Sequence, residues 1–176
     1  LHGGNLPDFS NRHPSLVMRL MSGAKSVTAP SKYLVERMKP YYPEIVLIPN
    51  GIDNKKYQSH NSANNKPILL WLRAFHKIYN PVLCPKFLLL LNNSGFELDL
   101  IMIGPDKKDG SLQKTSELAK ILGVISQLRI ITGIPKDEVP NALSMGDIFI
   151  NTTNFDNTPV SIIEAMASGL PIVTTN

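Results

Sequence analysis

Apolar positions along the chain fall into two regimes. Up to about residue 52 they form short, separate patches. Residues 14–21 carry Leu16, Val17, Leu20 and Met21 at helical spacing. "KSVTAPS" reads as a short strand running into a helix start. Ser31 is placed to cap a helix through about Lys39, which Pro40 ends. "EIVLIPNGID" is an apolar strand closed by a Pro-Asn-Gly turn. "NKKYQSHNSANNK" then offers almost nothing to a core and reads as a linker.

From Lys66 the pattern becomes a regular alternation. "PILLWLR" predicts a strand and residues 81–92 a helix. "FELDLIMIG" predicts a strand, and "SLQKTSELAKILG" a helix stopped by Gly123. "QLRIITG" is a strand, "PKDEVPNALSMG" a helical segment and "DIFINTT" a strand. "TPVSIIEAMASG" is a helix, and "LPIVTT" closes the chain as a strand. Strands and helices joined this closely predict an α/β fold, a Rossmann-like parallel sheet with helices on both faces. In such sheets ligands bind beyond the carboxyl ends of the strands. Those ends are Arg73, Gly104 with Pro105, Gly133, residues 151–158, and Thr174 with Thr175.

The bulk composition narrows the chemistry only slightly. The chain has 176 residues, 43% hydrophobic and 18% charged, which is ordinary for a folded domain. A net charge of +4 suits phosphate-bearing ligands or an anionic membrane surface. No Lys/Arg block or aromatic RNA-binding signature supports nucleic acid as a partner. One cysteine, Cys84, excludes an internal disulfide framework and fits a reducing compartment. Apolar runs such as "FLLLL" are far short of the roughly 20 residues that span a bilayer. The chain opens on "LHGGNLP" and ends on "PIVTTN", and it reads as an internal piece of a longer protein. Dinucleotide, P-loop, H-E-x-x-H and G-x-S-x-G motifs are absent, and the four histidines are scattered, so no metal is expected.

One residue stands out in the last helix. Glu164 lies among Ile162, Ile163, Ala165 and Met166, where a carboxylate is costly unless it is bonded. Thr158 and Pro159 read as an N-cap and first helical residue, leaving the amides of Val160 and Ser161 free at an anion-attracting helix end. Ser161 and Glu164, three apart, share a face. Glu164 then suits a ribose diol, or a buried salt bridge to Lys or Arg. Asp156, just upstream, reaches the same crevice or forms a solvated Asx turn with Asn157 and Thr158. Arg73 and Lys77 form a pyrophosphate clamp or are solvated surface charges.

Taken in order, "IPNGID", Arg73 with Lys77, "IMIGPD", "ELAKILGVISQLRIITGIPKDEVPNALSMGDIFINTT" and "DNTPVSIIEAMASGLPIV" resemble the family-four retaining glycosyltransferases of GT-B architecture, the group 1 glycosyl transferases. The resemblance covers nearly the whole chain. It implies two Rossmann-like domains: residues 1–52 as the end of an acceptor-side domain, 53–66 as a linker, and 67–176 as an incomplete nucleotide-sugar-binding domain. It implies transfer of a sugar, with retention, from a nucleoside diphosphate sugar to a hydroxyl acceptor (sugar, lipid-linked or other) in polysaccharide or glycoconjugate synthesis. The nucleotide sugar would be a co-substrate, with no other cofactor. The setting would be cytoplasmic, open to peripheral contact with the inner face of a membrane.

By the same resemblance, Glu164 matches the glutamate that holds the ribose hydroxyls. Asp156 falls where the family has its first glutamate, near the donor sugar. Asn157, Thr158, Pro159, Val160 and Ser161 match the segment that meets the donor's sugar and phosphates. Arg73 and Lys77 match the pyrophosphate pair, Gly133 the region beside the base, and His2 a histidine pointing into the cleft. Four positions depart from the pattern: Asp156 is one methylene short, Leu72 replaces a glycine, Lys77 follows Arg73 at a shorter spacing, and "YNP" stands where "KG" is common. The alternatives are a non-catalytic nucleotide- or sugar-binding module and a sugar-nucleotide epimerase of the same architecture.

Overall fold

The computed structural model describes residues 1, 5–58 and 66–175. The chain divides into two compact units. The first comprises residues 1–51 and 155–160, the second 52–154 and 161–176.

In the first unit, helices α1 (Leu6–Arg12), α2 (Pro14–Ser22) and α3 (Lys32–Met38) accompany strands β1 (Val27–Ala29) and β2 (Ile45–Leu47), which pair in parallel. Val17 and Met21 on α2 and Leu34 and Met38 on α3 form its core with Val27 and Ala29. Of the four periodic residues on α2, Leu16 and Leu20 remain exposed. Ser31 caps α3, its hydroxyl accepting from the Leu34 amide at 3.2 Å. Helix α1 starts inside the opening "LHGGNLP", of which residues 2–4 lie outside the described residues. Leu6 and Pro7 open the helix, with proline in the first turn where no amide bond is lost and Asp8 beside it at the positive helix end.

The second unit carries β3 (Ile68–Leu72), α4 (Leu83–Asn93), β4 (Asp99–Ile103), α5 (Ser111–Ile121), β5 (Leu128–Ile131), α6 (Val139–Leu143), β6 (Ile148–Asn151) and β7 (Ile172–Thr174). It also carries α7 (Val160–Ala167), apart from its first residue. The five strands form one parallel sheet in the order β5-β4-β3-β6-β7. Side chains alternate between the faces of each strand, so each sequence is sorted into two cores. Leu69, Trp71, Leu100 and Met102 pack on one face against Cys84 and Leu88 of α4 and Ala119 of α5. Leu70, Ile101, Ile103 and Phe149 pack on the other against Leu143 of α6 and Ala165 of α7. Burial on both faces explains why "ILLWL" and "LIMI" are apolar throughout.

The carboxyl ends of β3 and β4 approach closely. A Cβ built on Gly104 would lie 1.8 Å from the Arg73 carbonyl oxygen, so only glycine fits beside the end of β3. Gly104→Ala is expected to destabilise the chain by about 3 kcal/mol, read from urea unfolding. Gly51→Ala meets nothing within 4 Å and should change stability by less than about 1 kcal/mol. Equal effects from the two variants would disprove this reading of the β3–β4 junction.

Candidate functional site

The sheet order determines where a site can form. The chain runs β3 to β4 to β5 on one side, then returns to place β6 on the other side of β3. The connections leaving β3 and β6 therefore depart in opposite directions, opening a crevice at the strand ends. Hydrogen bonds tie the two connections together at its floor. Thr152 is buried, and its hydroxyl accepts from Trp71 Nε1 at 2.9 Å and donates to the Tyr79 carbonyl at 2.8 Å. The Asn154 amide donates to the Ile78 carbonyl at 3.0 Å, and Asn80 Nδ2 donates to Asn154 Oδ1 at 3.2 Å.

Arg73 lies directly at the end of β3. Its amide extends the ladder to the Ile103 carbonyl, and its guanidinium carbon lies 4.8 Å from the centre of the Tyr79 ring. Contact with the aromatic face helps to orient the guanidinium fork. Lys77 is exposed, in a 3₁₀ turn (Lys77–Tyr79). Asp109 pins that turn: one carboxylate oxygen accepts from the Lys77 amide at 2.8 Å and lies 3.7 Å from His76 Nε2, and the other accepts from the Ser111 amide at 3.0 Å. Bonding from the Ser111 side chain, then from the Lys77 and Ser111 amides, holds the Asp109 carboxyl down to about 2. Gly133 follows β5 with a left-handed φ of 75° and is exposed.

Helix α7 begins at Val160, one residue later than Thr158 and Pro159 suggest. The Thr158 bond in the structure is through its carbonyl, which accepts from Asn50 Nδ2 at 3.1 Å. Ser161 and Glu164 are both buried, on the face shared with Ala165. The Ser161 hydroxyl has no partner among the described residues, a rare state for a buried oxygen. Glu164 is 8% exposed, and its Oε1 accepts from the Tyr57 hydroxyl at 3.0 Å. Among the described residues no lysine or arginine pairs with it, so the salt-bridge alternative is not what the structure holds. Burial, and next the Glu164 carboxylate, push the Tyr57 phenol up to about 12.

Arg73, Lys77, Gly133, Ser161 and Glu164 thus belong to the second unit, while Asp156, Asn157, Thr158, Pro159 and Val160 belong to the first. Asp156 is exposed, its Oδ1 accepting the Asn157 amide at 2.8 Å. His2 lies outside the described residues. Among the described residues no three His, Cys, Asp or Glu side chains converge as metal ligands, and no helix is long and apolar enough to cross a membrane.

Sequence reasoning missed Tyr57, Tyr79 and Asp109. Tyr57 lies inside the segment read as a core-free linker, yet it packs against the second core. Its partner is 107 positions away, so only its being the lone aromatic in a polar run could have marked it. Asp109 carried a weak signal, as an Asp-Gly-Ser helix start.

Residues 53–176 match the family model of the glycosyl transferases group 1, and the chain belongs to that family. It is 22% identical over 138 residues to a Bacillus subtilis protein, the candidate glycosyltransferase EpsF, covering 72% of this chain and 35% of that one. Among solved structures, HepE of Anabaena in complex with UDP-glucose superposes with a TM-score of 0.83 at 17% identity, over 99% of this chain and 51% of that one. WaaG, a glycosyltransferase involved in lipopolysaccharide biosynthesis, gives 0.75 at 19%, over 93% and 48%. The chain spans about half the length of these structures and about a third of EpsF. The fold is that of GT-B glycosyltransferases.

The Asp109 contacts predict an acid-side effect. A carboxyl held below its ordinary 3.8 adds stability that is fully present above that value and is lost as pH falls through it toward 2. Asp109→Asn should therefore lower the thermal midpoint at pH 6, with the gap from wild type closing between pH 4 and 2. A gap that persists at pH 2 would mean that the charged form is not what holds the turn.

Proposed function

We propose that this chain binds a nucleoside diphosphate sugar. As part of a longer enzyme of the family-four type, it moves the sugar to a hydroxyl acceptor with retention, in the synthesis of a polysaccharide or glycoconjugate. The observation that carries this reading is the buried polar pair on α7. Ser161 has a hydroxyl with nothing to bond, and Glu164 has a carboxylate with one neutral donor on one oxygen. A folded chain leaves such groups incompletely bonded where a ligand completes them. A ribose diol supplies the donors that Glu164 lacks, and a diphosphate oxygen or sugar hydroxyl supplies a partner for Ser161.

The chemistry asked of the protein is stabilisation of the departing nucleoside diphosphate. Arg73, fixed on Tyr79, meets phosphate oxygens with a planar fork, and Lys77 adds a mobile charge. The first amides of α7 have no intrahelical acceptors and face the developing charge with the positive helix end. By the family resemblance, Asn157, Thr158, Pro159 and Val160 are assigned to the donor's sugar and phosphates, Gly133 to the base, and Asp156, with one methylene less than the usual glutamate, to the sugar. HepE binds UDP-glucose, which makes UDP-sugars the first probes. The acceptor is a sugar, lipid-linked or other hydroxyl.

Glu164→Ala should weaken nucleoside diphosphate binding by roughly 10- to 100-fold, as expected for loss of a charged hydrogen-bond partner, measured by calorimetry across UDP, GDP and ADP. A change within about twofold removes the ribose assignment. The 176 residues alone should give no measurable transfer from a nucleotide sugar in a radiolabelled assay; turnover by this piece would show that the acceptor-side groups are already present.

A further inference from the structure

We propose that Tyr57 is a positioning residue for the donor nucleotide: its hydroxyl holds one oxygen of Glu164 so that the other is presented to the ribose hydroxyls. This rests on the reading of Glu164 given above and adds a residue to it.

Tyr57 sits at the end of a 3₁₀ turn (Asn54–Lys56) whose start is capped by Asp53, with Lys55's amide donating to Asp53 Oδ1 at 3.2 Å. The Tyr57 amide closes the turn on the Asn54 carbonyl at 3.2 Å. The ring then packs against the core formed by β3, β4, α6 and α7. Turn and core fix the phenol, and a tyrosine has few rotatable bonds to order. For filling that space a phenylalanine would do as well. What the hydroxyl adds is the 3.0 Å bond to Glu164 Oε1, reaching across 107 positions of chain.

The backbone of Glu164 is held separately. Its carbonyl accepts from the Ser168 amide at 3.0 Å and from the Ser168 hydroxyl at 3.1 Å. With backbone and one carboxylate oxygen fixed, the remaining freedom of the side chain is small. A carboxylate has about four acceptor sites, and a phenol fills one. The phenol is pushed up to about 12, so it stays a proton donor throughout the neutral range. The unpartnered Ser161 hydroxyl, one turn earlier on the same buried face, is a second unfilled polar group beside the carboxylate. An arginine or lysine could orient Glu164 too, but it would compensate the charge that attracts the ribose protons. A neutral donor orients it without doing so.

The test uses Tyr57→Phe in the 176-residue chain, with binding of UDP and 2′,3′-dideoxy-UDP measured by calorimetry and folding by thermal melting. Tyr57→Phe should weaken UDP about five- to tenfold, a part of the roughly 10- to 100-fold expected when the Glu164 carboxylate itself is removed, and the dideoxy ligand less than twofold. The ribose preference of the wild type should therefore shrink by at least about threefold. The melting midpoint should stay within about 3 °C. An unchanged UDP-to-dideoxy ratio, or a midpoint drop beyond about 6 °C, makes the hydroxyl a structural pin and overturns the proposal. A wild type that binds UDP but shows no preference over the dideoxy ligand overturns the ribose reading of Glu164, and the proposal with it. The wild-type ratio thus separates the two failures. No binding of UDP by wild type defeats both for this nucleotide class.

Discussion

The arrangement at the head of the second unit depends on the Thr152 hydroxyl. It is buried, it accepts from Trp71 Nε1, and it donates to the Tyr79 carbonyl. Those bonds join the last core layer of β3, the connection leaving β3 and the connection leaving β6. Parallel neighbours on either side of a switch point have no continuous backbone ladder between their outgoing loops, and here side-chain bonds add to the single backbone bond from the Asn154 amide to the Ile78 carbonyl. Trp71 has a donor that must be met once the indole is fully buried. Meeting it with Thr152 fixes the loop that places Tyr79, and Tyr79 is the surface on which Arg73 rests.

The second constraint is the company Glu164 keeps. Burying a carboxylate beside Ala165 and the aliphatic core is unfavourable, and pairing it with a cation would bring a second desolvation cost. The chain instead supplies a tyrosine. The phenol bond offsets part of the desolvation and leaves the carboxylate short of donors. A group left short in this way binds hydroxyl donors better than a salt-bridged one, because the ligand replaces no competing partner.

Much of the fold is legible in the sequence. The alternation from Lys66 onward gives every strand and helix of the sheet, because residues buried on both faces make strands apolar end to end and Gly123 and Gly146 punctuate the helices. The strand ends then mark Arg73, Gly104 and Gly133 without reference to any relative. Helix α1 was harder, since "LPDFSNR" has no apolar stripe and only the proline and aspartate of its first turn signal a start. The start of α7 was misplaced by one residue because a threonine before a proline imitates a cap, whereas here Thr158 is bonded through its carbonyl.

The site's supporting residues were illegible for a different reason. Glu164 announces itself by being charged where its neighbours are not; Tyr57 does not, because an aromatic in a polar run is common and its role exists only after the chain has folded back over 107 residues. Asp109 and Lys77, 32 apart, are the same case. A sequence displays residues whose chemistry conflicts with their local pattern. It hides those whose chemistry is ordinary locally and decisive only across space. The groups expected to touch the donor are of the first kind, and the groups that hold them are of the second. For this chain, therefore, the motif identifies the family, while the way its carboxylate is held has to be read from the folded structure.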